Sequence, residues 1–130
     1  MNNPTKVVLC NSMIHIDIGK RRFSGDEDLY EKHLKRFLSD KYFCAINAAL
    51  AKGSYSLAER YSQKLKVKSY HLGMVRLAKC CDSLCSAIRL GKGSPDFQEE
   101  MHELSTVYSM MKDCIHKAFF EDAPAKLRGR

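Results

Sequence analysis

Ser56-Leu57-Ala58-Glu59-Arg60-Tyr61-Ser62-Gln63-Lys64-Leu65-Lys66-Val67-Lys68-Ser69-Tyr70-His71-Leu72-Gly73 reads as one amphipathic helix with an unusual outer face. At about 100° per residue, Leu57, Tyr61, Leu65 and Leu72 fall on a common inner side. Ser56 and Glu59 have the spacing of a capping box, so a start at Ser56 is expected, with Gly73 as the end or a bend. Gln63 points roughly 170° away from the inner side. Lys66, Val67, Tyr70 and Glu59 share its stripe, and Met74 lies just beyond it. A surface helix ordinarily puts charge there. Apolar side chains grouped on an outward stripe mark a docking face, unless a terminal segment covers them.

The same period governs the rest of the chain. Upstream, Ser24 and Glu27 are spaced as a capping box, with a helix expected from about 26. Tyr30, Leu34 and Phe37 share a face. Lys41 then falls where an apolar residue is due, and the stripe restarts at Phe43, Ile46 and Leu50, which predicts a break near Asp40. Gly53 suits a left-handed cap. Downstream, Leu77, Cys81, Leu84 and Ile88 repeat at four and three, and Gly91 and Gly93 stop them. Ser94-Pro95 reads as a helix start. Phe97, Met101, Leu104, Tyr108, Met111, Ile115 and Ala118 line the last long helix. The fold class expected is all-α: an antiparallel four-helix bundle with a possible short extra N-terminal helix within 11–23. The bundle core runs from about 24 to 120 of a single domain (1–130), and 121–130 form a basic tail.

Composition sets the limits. The chain has 130 residues, 45% of them hydrophobic and 28% charged, enough for one domain with its own core and unlike a disordered segment. Its apolar runs are far shorter than the ~20 residues of a membrane span, and Met1-Asn2-Asn3-Pro4 lacks the features of a signal peptide. A cytoplasmic location and a monomer are expected. Six cysteines then read as reduced thiols, with Cys81, Cys85 and Cys114 on or beside inner stripes as small hydrophobes. No Cys-x-x-Cys pair supports a zinc site around Cys80, Cys81 and Cys85. With 22 Lys and Arg against 15 Asp and Glu, the formal charge is +7, which favours an acidic partner. The basic residues look scattered apart from Lys126, Arg128 and Arg130, and no nucleic-acid motif appears, so a nucleic-acid partner is disfavoured. Gly91-Lys92-Gly93 is a helix stop and not a phosphate-cradling loop, and no nucleophile elbow is present. No enzyme, cofactor or metal is expected.

Arg22-Phe23-Ser24-Gly25-Asp26-Glu27-Asp28-Leu29-Tyr30 through Phe37, then Ala48-Ala49-Leu50-Ala51-Lys52-Gly53, Gln63-Lys64-Leu65-Lys66 and Leu72-Gly73 together resemble the histidine phosphotransfer domain of two-component phosphorelays. The resemblance spans roughly residues 14 to 120. That family is a four-helix bundle with the motif His-x-Leu-Lys-Gly, followed by Leu-Gly or Ile-Gly. Its exposed His takes a phosphoryl group from a receiver-domain aspartyl phosphate and passes it on. Here Gln63 stands at the position of the phosphorylated His, and Val67 at that of the following Gly. A neutral imidazole has a free ring lone pair for attack on phosphorus. The carboxamide nitrogen of Gln63 does not, since its pair is delocalised into the carbonyl.

The resemblance therefore implies a degenerate member, with no catalytic residue and Gln63 in place of the phospho-acceptor. It would bind a receiver domain or a sensor histidine kinase through Glu59, Gln63, Lys66, Val67, Tyr70 and Met74, as competitor or adaptor. Two alternatives stand beside it. One is active transfer through His71, about 80° round the helix from Gln63. The other is a helical interaction protein unrelated to phosphorelay, or a basic nucleic-acid-binding bundle. His33 reads as a packing residue, and His102 and His116 as solvent-facing.

Overall fold

The structure, a computed structural model, describes residues 1–11, 13–91 and 97–120. The described residues form helices and no strands: α1 (Asn3–Asn11), α2 (Ile16–Arg22), α3 (Glu27–Arg36), a single 3₁₀ turn (Phe37–Ser39), α4 (Tyr42–Ala51), α5 (Tyr55–His71), α6 (Val75–Leu90) and α7 (Gln98–Phe119). The all-α expectation holds. Residues 92–96 and 121–130, and with them the Ser94-Pro95 start and the basic tail, lie outside the described residues. No described helix is long and apolar enough to cross a membrane.

Helices adjacent in sequence are adjacent in space: α4 packs on α5, α5 on α6 and α6 on α7. The α3 segment and its 3₁₀ turn contact α7 from the other side. The break near Asp40 is present, and its chemistry is visible. Asp40 takes an extended conformation (φ −60°, ψ 140°), and its carboxylate accepts from the amide of Phe43 at 3.3 Å, restarting the chain as α4. The apolar stripes of α6 and α7 are buried much as their spacing predicts, with Leu77, Cys81, Leu84, Leu104, Tyr108, Met111 and Ile115 in the core.

Four local readings are corrected. The cap of α3 is Asp26, whose carboxylate accepts from Leu29 N at 3.1 Å; Ser24 sits in the preceding turn with a left-handed φ of 57°. Ser56 lies inside the first turn of α5, which begins at Tyr55 after the N-cap Ser54. The buried stripe of α5 is Ala58, Ser62, Leu65 and Ser69, while Leu57 is exposed. Small side chains here let α4 and α6 approach closely. Both serine hydroxyls are satisfied within the core, Ser62 donating to Cys81 O at 3.0 Å and Ser69 to Leu65 O at 2.7 Å. Finally, the core does not begin near 24. Leu9 and Ile14 are fully buried; α1, which carries Leu9, lies along α7, with Thr5 Oγ1 donating to Ala118 O at 3.3 Å.

The extra helix expected within 11–23 is α2, and it is tightly seated. Tyr30 is completely buried beneath it and donates its hydroxyl to Leu72 O at 2.7 Å. Gly19 of α2 lies against the Tyr30 ring with no room for a Cβ. At the α5–α6 turn, Gly73 has φ +81°, and His15 N donates to its carbonyl at 2.8 Å.

The cysteines divide cleanly. Cys80, Cys81, Cys85 and Cys114 are buried free thiols, whereas Cys10 and Cys44 are exposed. Burial pushes the thiols of Cys80, Cys81 and Cys85 above their ordinary value, which keeps them protonated and unreactive. Under native conditions at pH 8, a maleimide reagent is expected to modify Cys10 and Cys44 promptly and the other four only after denaturation. Prompt labelling of four or more would mean that the α6–α7 core is open.

Candidate functional site

The outer surface of α5 is set by its neighbours. The helix is amphipathic, so Leu65 and its small companions turn inward and Gln63, Lys64 and Val67 turn out. Gln63 is half-buried, and Val67 is 53% exposed. Gln63 lines a shallow groove with Tyr42 of α4 and with Arg60, Lys64, Val67 and Lys68 of α5.

The expected contact residues do not form one surface. Lys66 and Glu59 turn toward α6. Lys66 Nζ pairs with Asp82 at 2.9 Å, and its ammonium pKa is raised by that bond. Glu59 is paired with Arg89. These two are spoken for by α6 and are weak candidates for contact with a partner. Tyr70 is half-buried and lines a second hollow with Arg22, Val67 and His71. Met74 is a correction. It is fully buried as the N-cap of α6, because Gly73 turns the chain inward where a continued helix would have carried it to the surface. It cannot touch a docked partner.

A third hollow lies between α3 and the C-terminal part of α5. It is lined by Phe23, His33, Arg36, Lys68, His71 and Leu72. His33 is half-buried and packs against Phe23 with ring centroids 4.9 Å apart, as a packing residue should. His71 is exposed, as are His102 and His116.

The hollows adjoin pairwise along α5: the first and second share Val67, the first and third Lys68, and the second and third His71. None of their lining residues is acidic. Charges that look scattered in sequence are therefore gathered: Arg22 from α2, Arg36 from α3, and Arg60, Lys64 and Lys68 from α5. Of these, Lys68 is engaged. Its ammonium pairs at 2.8 Å with the buried carboxylate of Asp40 and lies over the rings of Tyr42 and Phe37. Tyr108 of α7 donates to the same carboxylate at 3.0 Å. One buried acid thus ties α4, α5 and α7 together beneath the face.

Sequence reasoning missed Arg22, Arg36, Arg60 and Lys64 as face residues. The signal available was the spacing of Arg60, Lys64, Val67, Lys68 and His71, which is a single helical stripe.

Chemically, the face can bind and cannot transfer through Gln63. The amide offers two donors and an acceptor, with no nucleophilic lone pair. Among the described residues no group of three or more His, Cys, Asp or Glu could hold a metal ion. No protein-family model, curated protein or solved structure matches this chain.

Proposed function

We propose that this chain is a pseudo-histidine phosphotransfer protein of two-component signalling, an antiparallel four-helix bundle that binds a receiver domain or sensor kinase in the cytoplasm without carrying phosphate. In this reading, α3 with α4 forms the first limb of the bundle, and α5, α6 and α7 the others. It acts as a monomeric competitor or adaptor, without enzymatic activity or a cofactor. The observation that carries the reading is the position of Gln63: an amide on the outer surface of α5, beside an exposed Val67, where the resemblance puts the phospho-accepting imidazole.

The surroundings fit a partner with an acidic active-site rim. Arg60 and Lys64 have no ion pair among the described residues, and an acidic surface would be steered to them. Val67 gives apolar contact at the centre. Glu59 and Lys66 would hold the α5–α6 pair rigid and not touch the partner.

Two experiments test the reading. Incubation with a phosphorylated receiver is expected to leave no acid-labile phosphate on this chain; its appearance, lost in His71→Gln, would instead establish relay through His71. Titration with receiver domains is expected to show binding weakened about tenfold or more by Val67→Asp, since an apolar contact is lost and a charge buried. Val67 is exposed, so that variant should keep its fold. Equal affinities for wild type and Val67→Asp would remove the face.

A further inference from the structure

We propose that the hollow formed by Phe23, His33, Arg36, Lys68, His71 and Leu72 is a binding site for a phosphate-class oxyanion, adjoining the Gln63 groove at Lys68 but centred on Arg36. It encloses about 340 Å³. Its walls come from the end of α2, from α3 and from α5, so its donors converge from different directions. Arg36 presents a planar fork of N–H groups, which suits two oxygens of a tetrahedral anion. His33 and His71 add ring N–H groups; Lys68 also lines the hollow, with its ammonium held by Asp40. Phe23 and Leu72 form an apolar side that limits hydration.

Charge points the same way. No carboxylate lines the hollow. Asp40, the acid paired with Lys68, also accepts from Tyr108 and from the amide of Phe43. On α3, Glu31 is paired with Lys35 at 2.9 Å. Arg36 and His71 have no partner among the described residues. The imidazole of His33 is held below its ordinary pKa, first by burial and then by the charges of Arg36 and Lys32. Burial is the larger cause and the two cations the smaller; a bound dianion would oppose both. The groups that face the two imidazoles are Arg36 and Lys32 on α3, Lys68 on α5 and Arg22 at the end of α2. All four are basic side chains, and none is a carboxylate.

The test is a titration of the whole chain with inorganic phosphate and, separately, sulfate, followed by the imidazole NMR signals. Saturable binding is expected to shift His33 and His71 and to raise the pKa of His33. Sulfate keeps its charge, so its affinity reports the imidazole of His33 and should rise about fivefold or more from pH 8 to pH 6. Arg36→Gln, an exposed position, should abolish binding, and Arg60→Gln in the neighbouring groove should leave it intact. A phosphoserine peptide run beside free phosphate tells a protein-borne source from a small-molecule one, and saturable binding of either supports the site. Absence of saturable binding overturns the proposal. So does an equal loss in Arg36→Gln and Arg60→Gln, or binding confined to polynucleotides or anionic vesicles, since each describes a diffuse basic surface. The outcome is independent of receiver binding, because Arg36→Gln and Val67→Asp lie in different hollows.

Discussion

Gly73→Ala is expected to destabilise the fold by about 4 kcal/mol, enough to leave a domain of this size largely unfolded near 37 °C. Two costs coincide. The residue has φ +81°, a region that side chains with a Cβ enter only at a cost of about 1–2 kcal/mol. A methyl group there would also be driven into the carbonyl of His15 and up to Gly19 N at 3.3 Å. Those are backbone atoms and cannot rotate away. To admit the methyl, α2 would have to leave the α5–α6 turn and give up the bond from His15 N to Gly73 O. Gly53→Ala is the control. Gly53 also has a left-handed φ, of +72°, but faces open space, so only the conformational cost of about 1 kcal/mol applies. Urea denaturation of both variants checks this. Similar midpoints for the two would mean that α2 is not anchored at Gly73.

Asp40→Ala ranks second, with an expected loss of about 3 kcal/mol. The carboxylate is completely shielded, and Lys68, its partner, is about a third exposed. The variant removes the acceptor for Phe43 N, the partner of the Tyr108 hydroxyl and the counter-ion of Lys68. Each partner is left wholly or partly without a bond. Lys68 can swing to water, so the ion pair itself is partly screened and contributes the smaller share. Tyr108→Phe, which deletes one hydrogen bond and keeps the ring stack on Phe43 (4.5 Å), should cost about 1 kcal/mol. If thermal and urea unfolding of Asp40→Ala match wild type, the α3–α4 break is held by apolar packing alone.

Much of this fold can be read from the sequence, and the exceptions have physical reasons. The stripes on α6 and α7 are built from large side chains, so their phase is plain. On α5 the phase is set by Ala58, Ser62 and Ser69, which carry little hydrophobic signal; averaging over Leu57 and Tyr61 turns the expected inner face by roughly 65°. A helical period continued across Gly73 puts Met74 at the surface, but the period stops at that glycine. Helix α1 shows no stripe, because Val7, Val8 and Leu9 are contiguous and only Leu9 is buried.

The candidate site was legible at its centre and not at its edges. Gln63 and Val67 follow from the geometry of one helix. The capture of Lys66 by Asp82 and of Glu59 by Arg89 depends on where α6 lies. The arrival of Arg22 and Arg36 beside α5 depends on the seating of α2 and α3. Neither can be found from periodicity within a single helix.

The pairing of α1 with α7 has a consequence for synthesis. The residues joined by Thr5 and Ala118 are separated by 113 positions, so this contact forms only after almost the whole described chain has left the ribosome. Until then Leu9 has no complete resting place, and the nascent chain presents greasy surface to its surroundings. Ribosomes stalled before α7 emerges should therefore carry a chain that recruits chaperones, and release should end that attraction.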